Sequence, residues 1–251
     1  MRRGERQLSA ATAARRRQTT RPVAKAAKRP AKRSIDEGVA AEPLTEQAFR
    51  AIEEAIVTLK LKPGAVLSEQ ALSASTGFGR TPIREALQRL ARQGLVTILP
   101  RKGILVADLN PRNQLLLMEV RREIERLLSR AGAERATPEQ RTQLESIARG
   151  MDAAAASNDD ISFMRLDREM NALMLDAAHN EYAARSAKLF QGLARRYWYM
   201  HYRVAADLPL CARLHAAQAR AIAKGNPAAA AAASDKLMDY VETFTRTTVS
   251  V

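Results

Sequence analysis

Gly79-Arg80-Thr81-Pro82-Ile83-Arg84-Glu85-Ala86-Leu87, followed by Leu90 and then by Gly94-Leu95-Val96, is the stretch that decides the fold of the N-terminal half. Its spacing predicts a short helix over Arg80–Arg92 that runs straight into a strand. Pro82 suits the first helical position, where its missing N–H would have had no partner in any case. At about 100° per residue, Ile83, Ala86, Leu87 and Leu90 share one side, and Thr81, Arg84 and Gln88 share the other. Arg and Gln on an exposed helix face can reach base edges in a DNA major groove, while Thr can hold a phosphate. An ordinary amphipathic surface helix would show the same period, so the flanking segments decide between the two readings.

Upstream, Leu44, Ala48, Ile52, Ala55, Ile56 and Leu59 recur at helical spacing and predict a first helix from Thr45 to Lys60, stopped by Lys62-Pro63-Gly64. Ser68 can cap a short second helix through Glu69, Ala71, Leu72 and Ala74, which Gly77 ends. Downstream, Leu95-Val96-Thr97-Ile98-Leu99 and Gly103-Ile104-Leu105-Val106 are β-rich runs flanking Pro100-Arg101-Lys102, a turn with two positive charges. Three helices and a basic-tipped hairpin over residues 43–107 make a winged helix-turn-helix. Its third helix would enter a major groove, with Arg101 and Lys102 at phosphates or the minor groove.

Taken together, Lys62-Pro63-Gly64, Leu67-Ser68-Glu69, Leu72, Gly77, Arg80 through Leu87, Leu90, Gly94-Leu95-Val96, Gly103 and Val106 closely resemble the DNA-binding domain of GntR-family bacterial transcription regulators. That resemblance implies DNA contacts by Arg80, Thr81 and Arg84 from the recognition helix and by Lys102 and Gly103 from the wing. The chain departs from the family where Gly79 stands in place of a frequent Ser, and where Gln70 stands in place of an Arg that some members set on the DNA backbone.

The charge distribution agrees with a polyanion partner. Of the formal +14, residues 1–42 hold 12 Lys/Arg against 4 Asp/Glu, residues 43–107 hold 9 against 5, and residues 108–251 hold 20 against 18. Residues 1–42 have almost no large apolar side chains and cannot bury enough surface to fold, so a disordered basic arm is expected there, either a DNA tether or a solubilising extension. One cysteine, Cys211, leaves no internal disulfide and fits a reducing cytosol. No apolar run approaches the roughly 18 residues that span a bilayer, and Arg2 and Arg3 are not followed by a signal-peptide core. The expectation is a cytoplasmic, nucleoid-associated bacterial protein with no membrane partner.

After Asp108 the pattern is helical throughout, with helices expected at 111–135, 138–156, 160–178, 181–203, 208–224 and 227–247. The fold class is therefore mainly α: a winged helix-turn-helix followed by an all-α antiparallel bundle over 108–251, whose interior is a natural ligand site. Polar residues share its apolar stripes. Asp167 and Asn171 fall among Phe163, Met170, Met174 and Ala178, and His215 lies with Cys211, Ala219 and Ile222. Arg121 and Glu125 lie with Leu117, Ile124 and Leu128; His201 and Tyr197 lie with Phe190, Leu193 and Ala194. Such groups must satisfy one another, as Arg121 and Glu125 can at i,i+4, or bind something. Asp167, Asn171, His215, Arg121, Glu125 and His201 come from four helices, which points to a shared polar pocket. Asp, Asn and His suit a divalent ion such as zinc, manganese or nickel, and a buried Arg suits a carboxylate.

This half resembles the FCD class of GntR regulators. The resemblance rests on Glu119-Val120-Arg121 with Ile124-Glu125, on Asp167-Arg168-Glu169-Met170-Asn171 with Ala177-Ala178-His179-Asn180, and on His215 with Ala221-Ile222 and Gly225-Asn226. It implies a metal site at Asp167, Asn171 and His215 and a small organic-acid effector near Arg121, Tyr197 and His201. The chain departs from the class at Asn171 and Leu237, each in the place of a metal-binding His; Asp235 and Asp239 lie on the face opposite Leu237. The function expected is a homodimeric, ligand-responsive regulator, a repressor by family habit, on two-fold operator DNA. Two rivals are a metal-dependent hydrolase built on Asp167 and His215, and a DNA-compacting protein acting through the basic arm. No nucleophile-and-base pairing, phosphate loop or His-Glu-x-x-His spacing supports an enzyme.

Overall fold

A computed structural model describes residues 42–249; the basic arm expected up to residue 42 lies outside them apart from Glu42. Helix α1 (Leu44–Val57) buries Ala48, Phe49, Ile52, Ile56 and Val57. It ends short of the expected Lys60 because Leu59 takes a φ of 59° and the Leu61 N–H turns back to the Ala55 carbonyl. Helix α2 (Glu69–Thr76) is capped as its sequence requires: the Ser68 side chain accepts the Ala71 N–H, and Gly77 closes the helix at a φ of 77°. Helix α3 (Arg80–Arg92) begins at Arg80, so Pro82 stands third rather than first. Proline is tolerated there because none of the first four N–H groups has an intrahelical partner. Its apolar side is closed off as expected, with Ile83, Ala86, Leu87 and Leu90 all buried.

Strands β2 (Val96–Leu99) and β3 (Gly103–Val106) pair antiparallel, Val96 opposite Val106 and Leu99 opposite Gly103. A strand not anticipated from sequence, β1 (Val66–Leu67), pairs with the other edge of β3, giving the order β1-β3-β2. Two residues are too few to show alternation. Gly103 is required here: its φ is +99°, and a Cβ would lie 3.0 Å from the Leu67 carbonyl oxygen.

Six helices follow: α4 (Pro111–Arg135), α5 (Pro138–Ser157), α6 (Asp160–Ala177), α7 (Glu181–Ala205), α8 (Leu208–Ala223) and α9 (Pro227–Val249). Each break has a local cause. Asn110 precedes Pro111 and accepts two N–H groups, Thr137 and Gln140 form a capping box, and Asp159, Asn180 and Asp207 cap the next three starts. Helix α4 packs along α9 and α5 along α8, with α6 against α5 and α7 against α4. The bundle and the winged helix have separate apolar cores, yet Leu193 of α7 packs into the winged-helix core. That contact is where the two halves meet.

Candidate functional site

The outer face of α3 carries Arg80, Thr81, Arg84 and Gln88, all exposed. Arg101 and Lys102 are exposed at the tip of the β2–β3 turn, and Gly103 is half-buried behind them. The winged helix thus brings all seven residues expected at DNA onto α3 and the hairpin. Arg84 is not free in solution: its Nε and Nη2 donate to the two carboxylate oxygens of Glu69 on α2, at 2.9 and 2.8 Å. The hydrogen bond from Arg84 holds the Glu69 carboxyl below the usual glutamate range. An exposed pair of this kind is weak and screened by salt, so a duplex can compete for the guanidinium. Sequence spacing gave no sign of this pairing, because the partners lie on different helices.

The second site is a cavity of about 760 Å³ lined from α1, α3, α4, α6, α7, α8 and α9. Asp167, Asn171, His215, Arg121, Glu125 and Tyr197 all line it. His201 does not: it stands one turn beyond Tyr197, with its ring centroid 4.7 Å from the Tyr197 ring, and burial pushes its imidazole below the ordinary value. The Tyr197 hydroxyl is taken by Thr248 of α9.

Asp167 and His215 form the polar centre. His215 Nε2 lies 3.2 Å from Asp167 Oδ1, and its Nδ1 donates to the Cys211 carbonyl at 2.9 Å, which fixes the ring. Burial opposes a charge on His215, but the Cys211 and Asp167 groups beside it outweigh that and raise its pKa well above the ordinary value. Burial likewise pushes Asp167 up, and the hydrogen bond from His215 outweighs it, so the carboxyl titrates low. Asn171 Nδ2 donates to Asp167 Oδ1 at 2.9 Å. Above them Arg121 Nε is 3.4 Å from Glu125 Oε1, the i,i+4 pair expected. Burial, opposed chiefly by Arg121, leaves the Glu125 carboxyl raised.

In the arrangement seen, these side chains bond to one another, though Asp167, Asn171 and His215 are of types that can ligate a divalent ion. Asp167 and His215 satisfy each other, Asn171 presents N–H rather than a carbonyl to Asp167, and Leu237 is buried among apolar side chains. Asp235 and Asp239 are drawn away to Arg126 and Arg122, at 2.9 and 2.7 Å. Among the described residues no group of three or more His, Cys, Asp and Glu is placed to hold a metal. The cavity carries Asp/Glu and Lys/Arg side chains in equal number, and its His215 and Arg121, each beside a carboxylate, stand on apolar walls that include Phe163 and Trp198.

Sequence reading missed the junction with the winged helix. Arg195 Nη2 and Arg168 Nη2 both reach Glu54 of α1, at 2.9 and 3.0 Å, and Arg195 Nη1 is 3.8 Å from Glu53. Arg196, 1% exposed, donates from Nη1 and Nη2 to the carbonyls of Ala107 and Asp108, at 2.8 and 3.3 Å, where the chain passes between the two halves. Gly192 permits the approach of α7, since a Cβ there would lie 2.7 Å from Leu95 and 3.1 Å from Glu53. One signal was available: a glycine inside a helix costs about 1 kcal/mol and asks for a close neighbour. The cavity reaches these same groups, for Glu53, Glu54, Arg168 and Arg195 line it as well.

Comparison with known proteins gives two family matches. The model described as "Bacterial regulatory proteins, gntR family" matches residues 44–106, and the FCD domain matches residues 116–240. The HTH-type transcriptional repressor RspR of Escherichia coli K12 is 27% identical over 161 residues, 64% of this chain and 71% of that protein. An uncharacterized HTH-type regulator of Streptomyces ambofaciens is 47% identical over 60 residues, 24% of this chain and 25% of its own length. Another, of Agrobacterium vitis, is 40% identical over 84 residues, 28% of this chain and 49% of its own length. The chain therefore spans half or less of those two relatives. In fold it is similar to E. coli McbR/YncC, with a TM-score of 0.70 at 18% identity, covering 83% of this chain and 99% of that one. The relatives named are transcriptional regulators, not enzymes.

Proposed function

The chain belongs to the gntR family of bacterial regulatory proteins and carries an FCD domain, and from that premise we propose that it is a repressor released from its operator by a small carboxylate bound in the cavity. DNA binding and transcriptional regulation are given by the family; the sign, the effector and the assembly are our reading. One observation carries it: a single cavity reaches from Arg121 and His215 to α1 and to Gln93, the residue that ends the recognition helix. A molecule seated there touches both halves. It can change DNA affinity by preferring one arrangement of them over the other.

Two-fold operators call for two copies of the chain, since the recognition helices must enter successive major grooves. Leu116 and Val120, one turn apart on α4 and 62% and 57% exposed, offer an apolar face for such an association.

The test is operator binding by the intact protein, followed by fluorescence anisotropy during titration with organic acids. Arg121→Ala should abolish the effector response while leaving operator affinity near that of the wild type. A response that survives in a folded Arg121→Ala protein refutes this placement of the carboxylate. Equal affinity for operator and random DNA would instead favour compaction through the basic arm.

A further inference from the structure

The junction contains a carboxylate held in a guanidinium fork. Glu54 of α1 receives Arg168 Nη2 at 3.1 and 3.0 Å on its two oxygens, and Arg195 Nη2 at 2.9 Å on one of them. Arg168 follows Asp167 directly on α6, and Arg195 lies on α7, one residue before the buried Arg196. All three side chains line the cavity that holds Arg121 and His215. We propose that Arg168 and Arg195 are a second anion site of this cavity, filled by Glu54 of the DNA-binding domain, and that the effector is a dicarboxylate whose far carboxylate displaces Glu54 and so loosens the winged helix from the bundle.

Four observations carry this. The fork is accessible to solvent, with the Glu54, Arg195 and Arg168 side chains 40%, 23% and 57% exposed, so the pair can be exchanged without opening a core. Two guanidiniums face Glu54, with Glu53 standing 3.8 Å from Arg195 Nη1 beside them. Burial raises the Glu53 carboxyl, opposed by Arg195 and Arg89. Burial raises Glu54 too, but the hydrogen bonds from Arg195 and Arg168 outweigh this, and Glu54 titrates below the usual range; the fork therefore favours an ionised carboxylate. The two anion sites line one and the same cavity.

The coupling follows from linkage. A ligand shifts an equilibrium only by its differential affinity for the two states. A monocarboxylate at Arg121 and His215 meets those groups whether or not α1 is docked. A second carboxylate on Arg168 and Arg195 can bind only where Glu54 has left, so it favours the undocked arrangement. The inference rests on the acid-effector reading above, and the experiment separates the two.

The intact protein is titrated calorimetrically with succinate, glutarate, adipate and pimelate, and with the monocarboxylates of equal carbon number. One dicarboxylate length should bind at least about tenfold more tightly than its monocarboxylate partner, as one added charged pair allows, and should release operator DNA. Glu54→Gln, which keeps the shape and removes the competing charge, should tighten that dicarboxylate several-fold and leave the monocarboxylate unchanged. Arg195→Leu should bring the dicarboxylate down to the monocarboxylate level. The proposal is overturned if no chain length shows an advantage, if the advantage survives Arg195→Leu, or if Glu54→Gln changes nothing. Should Arg195→Leu fail to fold, Glu54→Gln decides alone. Monocarboxylates that bind as well as dicarboxylates remove only this inference; no binding by any acid removes the acid-effector reading with it.

Discussion

Arg196→Met should uncouple the two halves of the chain rather than unfold either. The guanidinium is 1% exposed and its partners are the Ala107 and Asp108 carbonyls, the former at 2.8 Å and the latter at 3.3 Å, while Nε has none. A hydrogen bond from a charged donor contributes about 1.5–3 kcal/mol, and the longer bond belongs at or below the bottom of that range. The gross loss is then about 3–4 kcal/mol. Against it stands the recovered cost of burying a cation among neutral acceptors, a cost visible in its pKa, which burial lowers and Asp108 only partly restores. The net expectation is about 1–3 kcal/mol, and Met fills nearly the same volume. Because the lost bonds run to the segment between β3 and α4, the penalty falls on the joint. Trp198, the single tryptophan, packs against the bundle core from α7 and so follows chiefly that half. Urea unfolding of the wild type should give one transition by Trp198 fluorescence and by far-ultraviolet circular dichroism. In Arg196→Met the dichroism should begin to fall at lower urea than the fluorescence, as the winged helix melts first. Coincident transitions at the wild-type midpoint would refute the reasoning.

Asp167→Asn should flatten the alkaline limb of the stability profile. His215 has a raised folded pKa, so its contribution is complete below its unfolded value of about 6.5 and is lost as pH climbs through the folded value; Asp167, held low, contributes above its unfolded value of about 3.9 and loses that as pH falls. Melting temperatures measured across pH 6–10 should therefore decline less in the variant, and parallel curves would show that the pair is not what titrates. At the other site, Arg84→Ala should weaken operator binding about tenfold or more and relax preference over random DNA, whereas Glu69→Ala, which frees the guanidinium, should tighten binding at low salt. An equal loss on both DNAs for Arg84→Ala reduces that residue to a phosphate contact.

How much of this was legible in the chain follows the range of the interactions. Ser68, Gly77, Thr137 with Gln140, and Asn180 are local signals that act within one turn, and the helix boundaries they imply agree closely with those observed. The stripe of α6 placed Asp167 and Asn171 inward because burial and period are both helical properties. Strand β1 escaped because it exists only through its pairing with β3, which no two-residue pattern encodes. The partner of Arg84, the two partners of Arg195 and the carbonyls bound by Arg196 were hidden for the same reason: each joins segments 15 to 142 residues apart in sequence. His201 failed differently. It shares the stripe of Tyr197, but one turn further along α7 the cavity has already ended.

The placement of these long-range contacts on one helix has a mechanical consequence. Over the turn Gly192–Arg196, α7 gives up a side chain to admit Leu95, inserts Leu193 into the winged-helix core, holds Glu54 through Arg195 and pins the connecting chain through Arg196. The next turn presents Tyr197 and Trp198 to the cavity. Site and joint are therefore successive turns of a rigid element, and no relay through the bundle is needed to connect them. Coupling between distant sites requires an element with two discrete arrangements that both sites bias. Here the candidate is the docking of α1 on α7. Its ionic part is wet and exchangeable, while its apolar part and the Arg196 bonds are sealed. An anion on Arg195 would weaken the first without disturbing the second, so release would be a loosening of the winged helix about a retained pivot rather than a separation. In the dimer proposed above, recognition helices held that way would stay tethered near the bundles and would need only a change in their spacing to miss the second half-site of an operator.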